Sequence, residues 1–548
     1  MKNNILLTIL IFLIVMVSFS YAQVERPYEP IIITGDSVDL FLNHKIKNLY
    51  FFSYDVNVNS WRLIPFQIDE VNSAVDDSMK YFIPEDSLGG ILDSDDELVF
   101  MASDFGDKAH DSSWVAETDT NRIELIFTDP LDNNMSYTYL YSSSSLNEQI
   151  PDYYGMMYDS LNDRIHSTNY EVGFNKTGQL GDVLIKPAIG GSEKDIFDRI
   201  KIRAIGSLWS FPIFLSEENI ESKYAYAKTG PVRIIRNMVG SFVYDLLNFD
   251  ESFTQTSFFY PWNGSFRLVD IPLGQAKDVG AQVDRLRVSW DFNQDATGMR
   301  FYSENNRRGF PIDGVIDHID STCFPDELNW TMGTGESGTI LNNFYIPPFG
   351  DTIILYYHEA SDGSTADDSP ELEFETGDFV SFADNGYILK DNIENYITNE
   401  TTFNFIYYNF FLPPKFDPED ASRICDQMKA PLNFATKTQS YTPPSTCVVD
   451  KNIMKPGEFF LVQNYPNPFN SITTISFGLA SNGFVSLKIY DSLGRLVKTV
   501  TEQNLIKGFH KFKWSGKNEN GTPVPTGIYF YRIVTNDFSA IRKLVLIK

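Results

Sequence analysis

Short segments that alternate apolar and polar residues with a period of two recur along this chain, and turn residues close most of them. Alternation at that period puts successive side chains on opposite faces of a strand and fits no helix. Arg199-Ile200-Lys201-Ile202-Arg203-Ala204-Ile205 alternates strictly, and Ile353 to Glu359 is a strong strand. Leu49 to Tyr54 and Trp61 to Ile64 read as paired strands around Asn57-Val58-Asn59. In Pro65 to Val71, Phe66 and Ile68 fall on one face, Gln67 and Asp69 on the other. Val232 and Ile234 share a face of the strand after Gly230-Pro231, and Arg233 points the other way. Asn385-Gly386 reads as a hairpin turn. One stretch carries helix signals. Asp417 sits at a cap, Pro418 at the first helical position, acids fill the first turn, and Pro431 lies beyond Met428-Lys429. The expected fold class is all-β: a multi-strand β-sandwich body followed by a C-terminal immunoglobulin-like sandwich.

Met1 to Ala22 has the form of a secretory signal peptide, with Lys2, an apolar run from Ile5 to Val17, and Ser20-Tyr21-Ala22 before the expected mature start at Gln23. No later stretch has the length of a transmembrane helix. The expected divisions are an N-terminal β-rich domain over 23–150, a sandwich-like domain over 151–435 with a short helix near 418–429, a linker over 436–457 around Pro443-Pro444, and a C-terminal domain over 458–548. Charge is uneven. Residues 458–548 hold 11 Lys+Arg against 5 Asp+Glu, a net of +6, whereas residues 1–457 hold 33 against 68, a net of −35. A body that acidic repels nucleic acid and anionic lipid, and no nucleic-acid partner is expected.

The last ninety residues carry the densest pattern. They open with Asn464-Tyr465-Pro466-Asn467-Pro468-Phe469-Asn470, which the prolines hold extended. A hairpin over 485–499 turns at Asp491-Ser492-Leu493-Gly494, where Gly494 takes positive φ. Gly508, His510 and Trp514 mark the next strand, and Gly521 and Gly527 bracket a turn before Ile528 to Ile533. With the basic end Arg542 to Lys548, this segment resembles the type A C-terminal sorting domain of the type IX secretion system. Asn464, Pro466, Pro468, Phe469, Gly494, Trp514 and Gly527 carry the resemblance. It implies export across the outer membrane, the type IX machinery as partner, and a secreted or outer-membrane-surface location. The order of strand signals in the body resembles uncharacterised secreted β-rich bacterial proteins, some near carbohydrate-active families. It carries no site residue over.

The body offers little recognisable chemistry. None of the six histidines has metal-binding spacing, and no G-x-S-x-G elbow is present. The glycines of Gly333-Thr-Gly-Glu-Ser-Gly338 read as a hairpin loop, since no crossover helix pattern follows. Cys323, Cys425 and Cys447 form no zinc pattern, and Cys425 with Cys447 is the pair that could close a loop. Asp93, Asp95, Asp96 and Glu97 concentrate four carboxylates at the opening of a strand. No cofactor is required by the sequence, and calcium, which takes oxygen ligands, is the ion this segment could hold, although it lacks the glycine and distal glutamate of an EF-hand. Arg233, if it faced a cleft, could fork onto a carboxylate or a uronic acid; pairing with an internal Asp or Glu is the commoner arrangement. Paired carboxylates would serve a glycoside hydrolase, and Asp69, Glu70, Asp96, Asp104 and Asp313 are candidates. Two functions stay open. One is a non-enzymatic binding, adhesion or structural module whose partners are glycans or cell-surface components. The other is an exported polysaccharide hydrolase or lyase.

Overall fold

Antiparallel strands carry almost all the regular structure of the computed structural model. It describes residues 23–75, 79–82, 90–242, 252–271, 280–325, 327–346, 350–362, 380–396, 403–441, 459–464, 467, 469–470, 472–536 and 538–547. The expected signal peptide, Cys447, Pro466 and Pro468 lie outside these residues, as does 442–457 of the expected linker. The chain divides into two compact units, 1–441 and 442–548.

In the first unit, a nine-stranded sheet runs in the order Ile220–Thr229, Ile234–Phe242, Ser252–Phe259, Asn263–Ile271, Phe403–Leu412, Gly338–Tyr345, Leu328–Gly335, Arg300–Ser303 and Phe310–Pro311. Against it lies a five-stranded sheet ordered Phe211–Leu215, Phe197–Leu208, Ala281–Phe292, Ser381–Lys390 and Thr352–Ala360. The inward residues of both sheets make one core, in which aromatic rings supply much of the buried area. Trp290 of the smaller sheet stacks on Phe344 of the larger at 5.2 Å between centroids, and Phe344 on Tyr387 at 5.5 Å. Phe266 and Tyr407, neighbours in the larger sheet, stack at 4.6 Å.

A second core forms where the three strands Pro30–Thr34, Glu97–Met101 and Gln67–Asp69 pack with five others, ordered Asn433–Ser440, Asn121–Thr128, Met135–Ser142, Leu49–Asp55 and Ser60–Leu63. Phe51, Phe66, Phe100, Phe105 and Phe127 interlock there at centroid distances of 4.5 to 6.3 Å. Residues 436–440, expected to begin the linker, are part of a strand in this sheet, because 433–440 pairs along its length with 121–128.

The hairpin over 333–338 forms as read, with Leu328–Gly335 and Gly338–Tyr345 joined through Glu336-Ser337. The helix Pro418–Lys429 forms too, with the Asp417 carboxylate accepting from the Glu419 N–H at 2.8 Å. The Asn385-Gly386 turn does not: both residues sit inside the strand Ser381–Lys390. Gly386 is needed there for another reason, since a Cβ would lie 2.1 Å from the Val288 carbonyl oxygen of the adjacent strand. Among the described residues no helix is long and apolar enough to cross a membrane.

The second unit is a seven-stranded sandwich. Phe460–Leu461, Thr473–Leu479 and Gly508–Trp514 form one sheet; Leu496–Leu505, Gly483–Asp491, Gly527–Val534 and Ser539–Leu546 form the other. Ile475, Phe477, Val485, Leu487, Ile489, Tyr531 and Ile533 alternate into its core.

A four-stranded sheet spanning Met157–Asp159 to Leu180–Ile185 carries a charge cluster on Glu171, which accepts from Lys186 Nζ at 2.7 Å and Arg164 Nε at 2.9 Å. Burial pushes the Glu171 carboxyl up, but Lys186 and Arg164 outweigh it and bring its pKa to about 2, from an ordinary value of 4.5. A depressed carboxyl stabilises the fold above its unfolded pKa, and that contribution disappears as pH falls towards 2. In Glu171→Gln, the loss of stability on acidification from pH 4.5 to 2 should therefore be shallower than in the parent, as read by denaturant unfolding at successive pH values. Parallel curves would show that the cluster adds nothing.

Candidate functional site

Three of the sequence signals of the body meet at one guanidinium. Arg233 is 1 % exposed. Its Nε and Nη2 donate to Asp69 Oδ2 at 3.0 and 2.5 Å, and Nη1 pairs with Glu97 Oε2 at 2.7 Å. The Gln67 side chain fixes the backbone around it. Its Oε1 accepts the N–H groups of Val232 and Arg233 at 3.1 and 2.7 Å, and its Nε2 donates to Asp69 Oδ2 at 2.7 Å. Gly230 allows this approach, because a Cβ there would lie 2.2 Å from Gln67 Oε1. The face of Gln67 and Asp69 therefore turns inward, onto the nine-stranded sheet. Tyr81 closes the group by donating to Glu97 Oε1 at 2.9 Å, and its ring lies 5.4 Å from the guanidinium, as does that of Phe258. Burial alone would lower the Arg233 pKa; the facing Asp69 and Glu97 charges overcome that and raise it.

Arg233, Glu97 and Tyr81 form one wall of a cleft of about 330 Å³. That volume is at the lower end of the roughly 300–1,000 Å³ usual for small-ligand sites. Tyr28, Glu29 and Ile32 come from the first strand and the residues before it; Tyr260, Asn263, Ser265 and Arg267 line it from the nine-stranded sheet, with Tyr408 and Phe410 from the neighbouring strand. Gln427 and Met428 contribute from the end of the helix Pro418–Lys429. Six aromatic rings line the cleft: Tyr28, Tyr81, Phe258, Tyr260, Tyr408 and Phe410.

Arg26 holds the helix end in place. It forks onto Asp129 at 2.7 and 2.6 Å and donates to the carbonyls of Gln427 and Ala430 at 2.9 and 2.8 Å, a favourable position for a cation at a helix C-terminus. It also donates to Glu29 Oε2 at 2.9 Å. Burial raises the pKa of Glu29, and Arg26 offsets this only in part.

The four acids of 93–97 separate by role. Asp96 accepts the N–H groups of Val71 and Asp93 at 3.1 and 3.0 Å. Asp95 accepts the Ser73 N–H at 3.0 Å, Asp93 accepts those of Asp95 and Asp96 at 3.3 Å, and Glu97 faces Arg233. Burial, Asp95 and Asp96 together push the Asp93 carboxyl up to about 6. Among the described residues no three His, Cys, Asp or Glu side chains are grouped to hold a metal ion. Of the proposed catalytic carboxylates, Asp69 lies behind the cleft wall. Glu70 accepts from the Gly90 N–H, Asp104 from Arg62, Tyr153 and Tyr154, and Asp313 from the Val315 N–H. Cys323 and Cys425 are buried free thiols, both pushed up to about 12 by burial.

Sequence reasoning did not select Tyr28, Glu29, Tyr81 or Arg267. Each is isolated in sequence, and only the pairing of distant strands brings them together. In the second unit the selected residues that the structure describes take part in packing and turns. Asn464 is buried, its N–H donates to the Tyr531 hydroxyl at 2.8 Å, and its Nδ2 donates to Thr473 Oγ1 at 2.8 Å. Phe469 is buried against Trp514 at 5.5 Å, and Trp514 Nε1 donates to the Lys517 carbonyl at 2.8 Å. Gly494 takes φ +77° in its turn, and Gly527 starts a strand.

Residues 470–537 match the FlgD Ig-like domain family. The basal-body rod modification protein FlgD of Salmonella typhimurium is 30 % identical over 96 residues, which is 17 % of this chain and 41 % of that protein. The chain thus spans about two fifths of the length of this curated relative. The second unit is a C-terminal Ig-like domain. Among solved structures, an alpha-mannosidase from Enterococcus faecalis V583 has a TM-score of 0.32 at 8 % identity, covering 89 % of this chain and 53 % of that one. Dimeric latent PorU from Porphyromonas gingivalis has a TM-score of 0.15 at 12 % identity, covering 91 % and 41 %. TM-scores of that size carry no argument about this chain.

Replacing Arg233 by Met would leave Asp69 and Glu97 buried opposite an apolar side chain. Breaking a buried pair in this way costs roughly 3–5 kcal/mol. Chemical denaturation of Arg233→Met should show a loss of about that size. A loss below about 1 kcal/mol would mean that the cleft wall does not depend on this pair.

Proposed function

We propose that this chain is a secreted or outer-membrane-surface protein whose body binds a saccharide in the aromatic cleft, and whose C-terminal Ig-like domain acts as a type IX sorting domain. The observation that carries the binding reading is the lining: the half-buried rings of Tyr28 and Tyr408, backed by the buried Tyr81, Phe258, Tyr260 and Phe410, set among hydrogen-bonding groups in one concave site. The faces of Tyr28 and Tyr408 suit the apolar C–H faces of a sugar ring, while Gln427 and the hydroxyls of Tyr28 and Tyr408 suit its hydroxyls. The body is accordingly a non-enzymatic binding module for glycans or cell-surface components. The sorting reading rests on the Asn464-to-Phe469 opening, on Gly494, Trp514 and Gly527, and on the match to an Ig-like domain family.

A hydrolase is the second reading, and Glu29 favours it. It is a cleft carboxyl with a raised pKa, as a general acid needs, and it shares the cleft with Glu97. Against this, Arg233 and Tyr81 already engage both oxygens of Glu97.

The mature chain, Gln23 to Lys548, should be applied to a glycan array with and without Ca²⁺, with product analysis of each bound glycan. Binding without new reducing or unsaturated ends is expected. New ends that vanish in Glu29→Gln would establish the hydrolase, and retention of no glycan would overturn both readings of the cleft. Deleting 458–548 in the native host should leave the body inside the outer membrane. Unchanged surface or medium levels, by immunoblot of fractions, would remove the sorting role.

A further inference from the structure

The cleft lies in a body of net charge −35, yet its unspent charge is positive. Both cleft carboxylates are engaged by arginines, Glu29 by Arg26 and Glu97 by Arg233. Arg233 is in turn neutralised by Asp69 and Glu97. Arg267 differs. It projects from the strand Asn263–Ile271, is exposed, and makes no ion pair among the described residues; its guanidinium lies 5.8 Å from the Phe258 ring centroid.

An arginine resting near an aromatic face keeps its donor fork directed outward, and that fork matches a carboxylate with two parallel hydrogen bonds. Beside it, the half-buried ring of Tyr408 offers a surface for a sugar ring, with the buried Phe258 behind. We infer that the cleft selects a carboxylated saccharide, a uronic-acid residue of an acidic polysaccharide, with Arg267 pairing with the sugar carboxylate. This rests on the saccharide reading above. The acidic body repels a polyanion at distances up to a Debye length, about 10 Å at 0.1 M salt, so discrimination must come from contact with Arg267 rather than from the overall field. A neutral sugar would leave the guanidinium without a carboxylate partner; an ester of the same sugar keeps every ring contact and loses the charge.

The test is calorimetric titration of the full mature chain with short oligomers of galacturonate, mannuronate, guluronate and glucuronate, each as free acid and as methyl ester. At least one acid should bind tenfold or more tightly than its ester. Arg267→Ala should close that gap while leaving ester binding in place, and Arg267→Lys should restore part of it, because the charge returns without the fork. Arg267 is exposed, so the variants should keep the parent unfolding midpoint. A gap that survives Arg267→Ala overturns the assignment to Arg267. Esters or neutral xylan and glucan oligomers binding as tightly as the acids overturn the inference and leave the saccharide reading standing. Binding of no saccharide, acidic or neutral, overturns both. A poly-glutamate peptide binding more tightly than every acid sugar replaces the saccharide by an acidic protein segment.

Discussion

The buried contact of Arg233 with Asp69 and Glu97 fixes how the small N-terminal sheet meets the nine-stranded sheet. Desolvating one cation and two carboxylates is expensive, and an apolar cluster of the same volume could give equal or greater stability. What the ions add is direction. The guanidinium fork donates to the carboxylates in few geometries, and Gln67 ties the backbone of Val232 and Arg233 to the same strand that carries Asp69. The aromatic cleft lies directly beside this contact, with Glu97, Tyr81 and Arg233 as shared members. For the proposed ligand, a wall fixed in this way is already ordered, so binding would lose little conformational entropy.

A second clasp holds the helix end that lines the cleft. Arg26 joins the start of the chain to Asp129 and to the carbonyls that end the helix Pro418–Lys429. Since the following strand, Asn433–Ser440, returns to the N-terminal sheet, the last segment of the body locks onto its first. The expected boundary near 150 is bridged as well, for Tyr153 and Tyr154 both donate to Asp104 at 2.6 Å. Contacts between residues so far apart in sequence leave no local signature.

That contrast explains what could be read beforehand. The alternation of 199–205, the cap at Asp417 and the two-residue turn at Glu336-Ser337 are local rules, and the structure follows them. The Ig-like domain was legible because Asn464, Phe469 and Trp514 are themselves its core and latch, so its sequence pattern and its packing coincide. Gly386 misled because glycine serves two purposes: it permits turns, and it permits the close approach of a neighbouring strand. Arg233 was visible as an arginine at a strand start, but its partners lie 164 and 136 positions upstream and no spacing rule connects them.

The same partners bear on the choice between binding and catalysis. A retaining or inverting hydrolase needs one carboxyl that can give up a proton and one carboxylate with an oxygen free to act. Glu29 fits the first requirement, because burial raises its pKa while part of its side chain stays exposed in the cleft. Glu97 does not fit the second. One oxygen accepts from Tyr81 and the other faces Arg233, so freeing the first would leave a buried hydroxyl without its acceptor and freeing the second would leave Arg233 with Asp69 alone. The arrangement that makes the cleft wall rigid thus occupies the group that catalysis would require to move protons or attack. On the proposed saccharide reading, this geometry suits recognition rather than turnover.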